Sequence, residues 1–148
     1  MRKDQNFPVI NLFLRQNKRG KRAFLICLNF LLIFDYENKS DYITSFFLRD
    51  DSVIKFKKEY YQELIKLFNS IKENGYSDNS MVTITALSKQ LIDGAHRTAI
   101  CLFLKIPTIT CKKVFKIYVK NDVEWFYTCG FSKEDLIKMR TTTLKLIK

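Results

Sequence analysis

Hydrophobic and polar positions fall into blocks along the chain, and the period of the apolar positions changes from block to block. The most apolar block is Ala23-Phe24-Leu25-Ile26-Cys27-Leu28-Asn29-Phe30-Leu31-Leu32-Ile33-Phe34. Twelve residues are too few to span a bilayer. Asp35-Tyr36-Glu37 follows, rather than a small-x-small cleavage site. A core strand or core helix is expected, with a membrane-skimming anchor as the alternative. Before it, Val9-Ile10-Asn11-Leu12-Phe13-Leu14 is an apolar patch in a polar, basic segment. It reads as a short docked helix or strand, or as an arm.

After a polar break, Tyr42-Ile43-Thr44-Ser45-Phe46-Phe47-Leu48 has the β-branched and aromatic composition of a strand. From Lys57 to Glu73 the period becomes helical, with Tyr60, Leu64, Leu67, Phe68 and Ile71 on one stripe. Asn74-Gly75 supplies the stop. Met81-Val82-Thr83-Ile84-Thr85-Ala86 alternates as a strand, and Leu91-Ile92 is its returning partner. A helix is expected from Ala95 to about Leu104, with Thr98, Ala99, Leu102 and Phe103 facing the core and Pro107 marking its end. A strand from Thr108 to Val119 and a C-terminal helix N-capped by Ser132 complete the pattern. The sum is one compact α+β domain with a small mixed sheet packed against helices. Its expected span is 42–148, with 1–41 as an N-terminal extension.

The chemistry concentrates at Asp93-Gly94-Ala95-His96-Arg97-Thr98, where a strand reverses directly into a helix. Gly94 can take positive φ and let a ligand approach the backbone. The N–H groups of Ala95, His96 and Arg97 then belong to a first turn with no intrahelical acceptors. With the helix dipole and the Arg97 guanidinium they form an anion site, most naturally for phosphate. His96, the chain's one histidine, has a reference pKa near neutrality and can hydrogen-bond a phosphate oxygen or move a proton. Asp93 is the natural Mg²⁺ ligand or partner of an acceptor hydroxyl, and Thr98 adds a hydroxyl. A bland alternative stands beside this: His96 and Arg97 cap the helix and pair locally.

Charge sharpens the choice of partner. The chain of 148 residues carries 26 Lys+Arg against 15 Asp+Glu, a formal charge of +11, which favours nucleotides, nucleic acid, phosphorylated metabolites or an acidic membrane surface. The dense run Lys18-Arg19-Gly20-Lys21-Arg22 reads as a solvated surface, or as a contact for nucleic acid or membrane. Cys27, Cys101, Cys111 and Cys129 form no C-x-x-C pair, and a single histidine completes no zinc-finger pattern. A structural metal is therefore not expected, and the compartment reads as reducing and cytoplasmic.

The segment from about Tyr42 to Val114 resembles the ParB/sulfiredoxin-like superfamily. The resemblance rests on the order strand, helix ending Ile71-Lys72-Glu73-Asn74-Gly75, strand, Leu-Ile-Asp-Gly-x-His-Arg turn and helix, then strand. It covers about half the chain. In that superfamily the turn holds nucleotide phosphates. Sulfiredoxins carry a catalytic cysteine where this chain has Ala95, which excludes sulfinic-acid reduction there. ParB proteins usually carry a second arginine where this chain has Thr98, and a helix-turn-helix domain further on. The free serine kinases carry an Asp-Gly-His-His-Arg version, and the form here is similar to small stand-alone proteins associated with bacterial surface-polysaccharide genes. The kinase resemblance implies a glutamate base after the first strand. This chain offers Asp50 or Asp51 there, with Glu59 further on, and Arg49 beside them to reach phosphate or neutralise the pair. It also implies an aromatic lining the acceptor pocket, for which Trp125 is the candidate.

Two readings follow. The first is a nucleotide-dependent phosphotransferase on a small hydroxylated metabolite, using ATP or ADP (or CTP) with Mg²⁺. The second is a non-catalytic module that binds nucleotide or nucleic acid through the same turn and the basic surface.

Overall fold

The computed structural model describes residues 4–16, 20–40, 42–43, 60–76, 81–115 and 123–148. The 23–34 block forms the axis of the core. It lies within helix α2 (Lys21–Asn38), and every residue from Ala23 to Ile33 is buried. A helix enclosed on all sides has no reason to show a polar face, so its sequence carries no helical period. α2 packs against the helices built from Ala95–Phe103 and Lys133–Leu146, and also touches the one built from Gln62–Asn74. No helix among the described residues is long and apolar enough to cross a membrane.

The sheet is mixed. Strands β1 (Asp4–Pro8), β2 (Val82–Thr85), β3 (Leu91–Asp93) and β4 (Thr108–Val114) lie in the order β1-β4-β2-β3. β4 runs parallel to β2 and antiparallel to β1, whose Phe7 stands opposite Ile109. β2 and β3 form an antiparallel pair. The α+β architecture is as the periodicity implied. The division at residue 41 is not reflected in the packing. Residues 4–38 supply an edge strand, the short helix α1 (Val9–Arg15) and the central helix.

Tyr42 and Ile43, expected to open a strand, lie instead in a helical turn. Their N–H groups donate to the Asp35 carboxylate at 2.9 Å each, and Ser40 Oγ donates to it at 2.6 Å. One carboxylate at the end of α2 thus turns the chain and satisfies two backbone donors, removing the reason for strand pairing here. The rest of that expected strand, residues 44–48, falls outside the described residues, as do 116–119 from the expected end of β4.

Helix α3 (Gln62–Asn74) buries Leu64, Ile65, Phe68 and Ile71 and stops at Gly75, which has φ 79°. Helices α4 (Ala95–Phe103), α5 (Glu124–Thr128) and α6 (Lys133–Leu146) follow. In α6 the Ser132 side chain accepts from the Asp135 N–H while Asp135 accepts from the Ser132 N–H, a complete capping box.

Candidate anion site at the start of helix α4

The strand that feeds the turn is pinned from behind by Gln16. Its amide, only 3% exposed, donates to Leu12 O (3.0 Å) and Lys89 O (3.1 Å) and accepts from Leu91 N–H (2.8 Å). Three hydrogen bonds to one buried side chain fix the end of α1 against the start of β3.

Asp93 stands exposed at the end of β3, and Gly94 follows with φ 112°. A side chain at Gly94 would overlap Val82 Cγ1 and come within 2.7 Å of Val82 Cβ. Glycine is therefore required by the close passage of β2 as well as by the left-handed backbone. The close passage of β2 is a packing reason for glycine that adds to the expected one.

Gly94 is the N-cap of α4, so no side chain caps this helix, and no acidic residue lies in its first turn. The first backbone bond closes from Thr98 N–H to Gly94 O at 3.0 Å. Thr98 Oγ1 donates to the same carbonyl at 2.9 Å and is fully buried. Thr98 thus supports the turn from inside, with its hydroxyl engaged by the backbone of that turn. Ala95 is buried against the core, leaving its backbone as its contribution. Arg97 Nε is buried and has no hydrogen-bond partner among the described residues.

His96 is placed by aromatic packing. Its ring lies 5.1 Å from Tyr60, Tyr60 lies 5.4 Å from Trp125, and Lys21 Nζ sits 6.0 Å from the Trp125 ring. Tyr60 OH donates to Asn29 Oδ1 at 2.7 Å, tying this row of rings to the buried centre of α2. Burial lowers the His96 pKa, the Arg97 charge lowers it further, and Asp93 opposes both. A pKa below the ordinary value of 6.5 leaves His96 neutral at pH 7, one nitrogen donating and the other accepting. Burial likewise raises the Tyr60 phenol, keeping it a donor.

The structure brings Asp93, Gly94, Ala95, His96 and Arg97 together at one helix start, with Trp125 reaching them through Tyr60. The pair Trp125-Phe126 divides, Phe126 being fully buried and Trp125 half-buried at its edge. Arg49, Asp50, Asp51 and Glu59 lie outside the described residues. Among the described residues no three His, Cys, Asp or Glu side chains cluster to hold a metal ion. At the turn itself the carboxylate is Asp93, and it is the residue there that could hold a Mg²⁺ ion, which commonly takes one or two carboxylates plus substrate phosphates. A bare N-terminus and an unpartnered Arg97 Nε fit a phosphate group.

Tyr60 and Asn29 were not legible as site residues. Tyr60 counts in the sequence as one member of an apolar stripe. The available signal was Asn29, a lone amide inside the apolar block whose burial demands a partner. Searches with the chain against family models, curated proteins and solved structures found no match.

Proposed function

We propose that the chain is a nucleotide-dependent phosphotransferase acting on a small hydroxylated metabolite, with ATP or ADP and Mg²⁺ as cofactors. The observation that carries this reading is the uncapped start of α4, with Arg97 at its third position and Asp93 immediately before it. Transfer of a phosphoryl group is catalysed chiefly by positioning and by neutralising charge on phosphate oxygens. The N–H groups of Ala95, His96 and Arg97 and the Arg97 guanidinium serve that end. Asp93 holds the cation or orients the acceptor hydroxyl. Neutral His96 can take the proton that the acceptor hydroxyl loses, and Tyr60 and Trp125 form an aromatic wall beside it. Nucleotide and Mg²⁺ supply the transferable group and its charge compensation. The ParB/sulfiredoxin-like resemblance supports the same reading, because it rests on this turn.

Phosphorus NMR of ATP or ADP with Mg²⁺ and a panel of hydroxylated acceptors tests it. The expected result is Mg²⁺-dependent turnover that rises with one acceptor class and disappears in Asp93→Asn. Nucleotide binding without turnover would transfer the conclusion to a non-catalytic nucleotide- or nucleic-acid-binding module. The net charge of +11 favours that second reading, and its affinity for nucleic acid would fall steeply with salt.

A further inference from the structure

The two most exposed large apolar side chains among the described residues, Phe115 at 94% and Leu87 at 84%, come together at one end of the sheet. Leu87 follows Ala86 and Phe115 follows Val114, and the Ala86 N–H donates to Val114 O at 2.8 Å. This is the C-terminal end of β2. The turn at 93–97 lies at the other end of that strand, where Asp93 stands opposite Thr83 and Gly94 presses on Val82.

Exposure of a leucine says little by itself, but the loop is braced to hold this one out. Thr85 Oγ1 shares a hydrogen bond with Ser88 Oγ at 2.7 Å and accepts from the Gln90 N–H at 3.0 Å. The Lys89 N–H donates to Thr85 O at 3.2 Å, and Lys89 Nζ donates to Ala86 O, with the Lys89 backbone in the left-handed region at φ 58°. Gly, Asn, Asp and Ser dominate such turns, so a leucine at the tip needs a reason outside the turn. The loop is ordered before any partner arrives, which removes that cost from binding.

Cations crowd beside the tip. Lys89 Nζ and Lys113 Nζ each lie 5.7 Å from the centroid of the same Phe7 ring. The Lys89 pKa is lowered, by desolvation first and then by Lys113 and Arg15, so the three positive charges share one neighbourhood. None of the three pairs with a carboxylate among the described residues. Like charges held together without a counter-ion repel, and the Phe7 ring offsets only part of that repulsion.

We propose that this end of the sheet docks on an anionic lipid bilayer, Leu87 and Phe115 entering the headgroup–acyl boundary while Arg15, Lys89 and Lys113 meet the anionic headgroups. Apolar tips beside long basic side chains suit that boundary, because the tips leave water and the charged ends stay at headgroup level. Charge complementarity selects the partner: the net charge of +11 draws the chain to an anionic surface, and the unpaired cations here find their counter-ions in it. A nucleic acid would also satisfy the cations, but an aliphatic tip such as Leu87 gives its bases no ring to stack on.

Co-sedimentation of the full chain with vesicles tests this, using phosphatidylcholine alone and phosphatidylcholine mixed with phosphatidylserine. Binding should require phosphatidylserine and fall as salt is raised. The double substitution Leu87→Ser/Phe115→Ser keeps the charge and removes the tips, so binding should drop by roughly tenfold or more. Its unfolding temperature should match wild type, because both side chains are exposed. Arg15→Gln and Lys113→Gln should each weaken binding about fivefold. Lys66→Gln, an equal loss of charge at an exposed position of helix α3, should leave it nearly unchanged. Vesicle binding that survives the double substitution, that is as strong to phosphatidylcholine alone, or that is absent would overturn the assignment. So would Lys66→Gln weakening binding as much as Arg15→Gln, or a single-stranded oligonucleotide that binds more tightly than the mixed vesicles and is lost in the double variant.

Discussion

Helices α4 and α6 begin in opposite ways. At α6 the N-cap is Ser132 and the third helical residue is Asp135, and each satisfies the other's backbone N–H. At α4 the N-cap is Gly94, without a side chain, and the third residue is Arg97. The same helical position thus carries an anion in one case and a cation in the other. A carboxylate there complements the positive end of the helix, and an arginine opposes it. The start of α6 is chemically complete and has little left to offer a ligand. The start of α4 is stabilised by its surroundings, with Gly94 pressed on Val82, Thr98 bonded back to Gly94 O and Gln16 pinning β3. Its polar end is left open. The contrast shows how a fold keeps a helix start uncapped: the turn is held from its buried side.

The largest effect should come from disturbing that buried side. Gly94→Ala forces a left-handed alanine, costing about 1–2 kcal/mol, and drives a methyl into Val82, costing about 1–3 kcal/mol more. Chemical denaturation should therefore show a loss of roughly 2–5 kcal/mol. A variant as stable as wild type would mean that β2 yields freely and that the turn is not held as described. A smaller effect belongs to the closed helix, where Ser132→Ala should cost about 1 kcal/mol by removing one half of the capping box. Phosphate binding should be unchanged in Ser132→Ala, since that end is self-satisfied, and any weakening would blur the distinction between the two helix starts.

The sequence showed the two helix starts unequally. Ser132 before Lys133-Glu134-Asp135 is a local signal, readable because capping depends on residues three positions apart. Gly94 was legible as a turn residue, but its packing reason was not, because Val82 becomes its neighbour only when β2 and β3 pair. The apolar block at 23–34 announced burial without choosing helix over strand, since enclosure on every side erases the period that would distinguish them. Tyr42 and Ile43 misled by composition. Their strand propensity was overridden by the Asp35 carboxylate, a tertiary choice that propensity cannot encode. His96 and Arg97 were found as a motif, whereas Tyr60 and Asn29 entered the site only through packing between α2 and the residues around it.

In the proposed function, α4 keeps a cation at its third position for an anion rather than for the helix. The most direct measurement is thermal unfolding of wild type and Arg97→Asp, each with and without ATP and Mg²⁺. Replacing the arginine with the residue that α6 uses should stabilise the ligand-free chain by about 0.3–1 kcal/mol. It should also remove the nucleotide's stabilising effect, which in wild type is about 2.7 kcal/mol at a ligand concentration one hundred times Kd. Opposite movements of the free and nucleotide-loaded proteins are the predicted result. A variant that is less stable without ligand, yet still stabilised by ATP, would return Arg97 to a structural role and rule out an anion held by it.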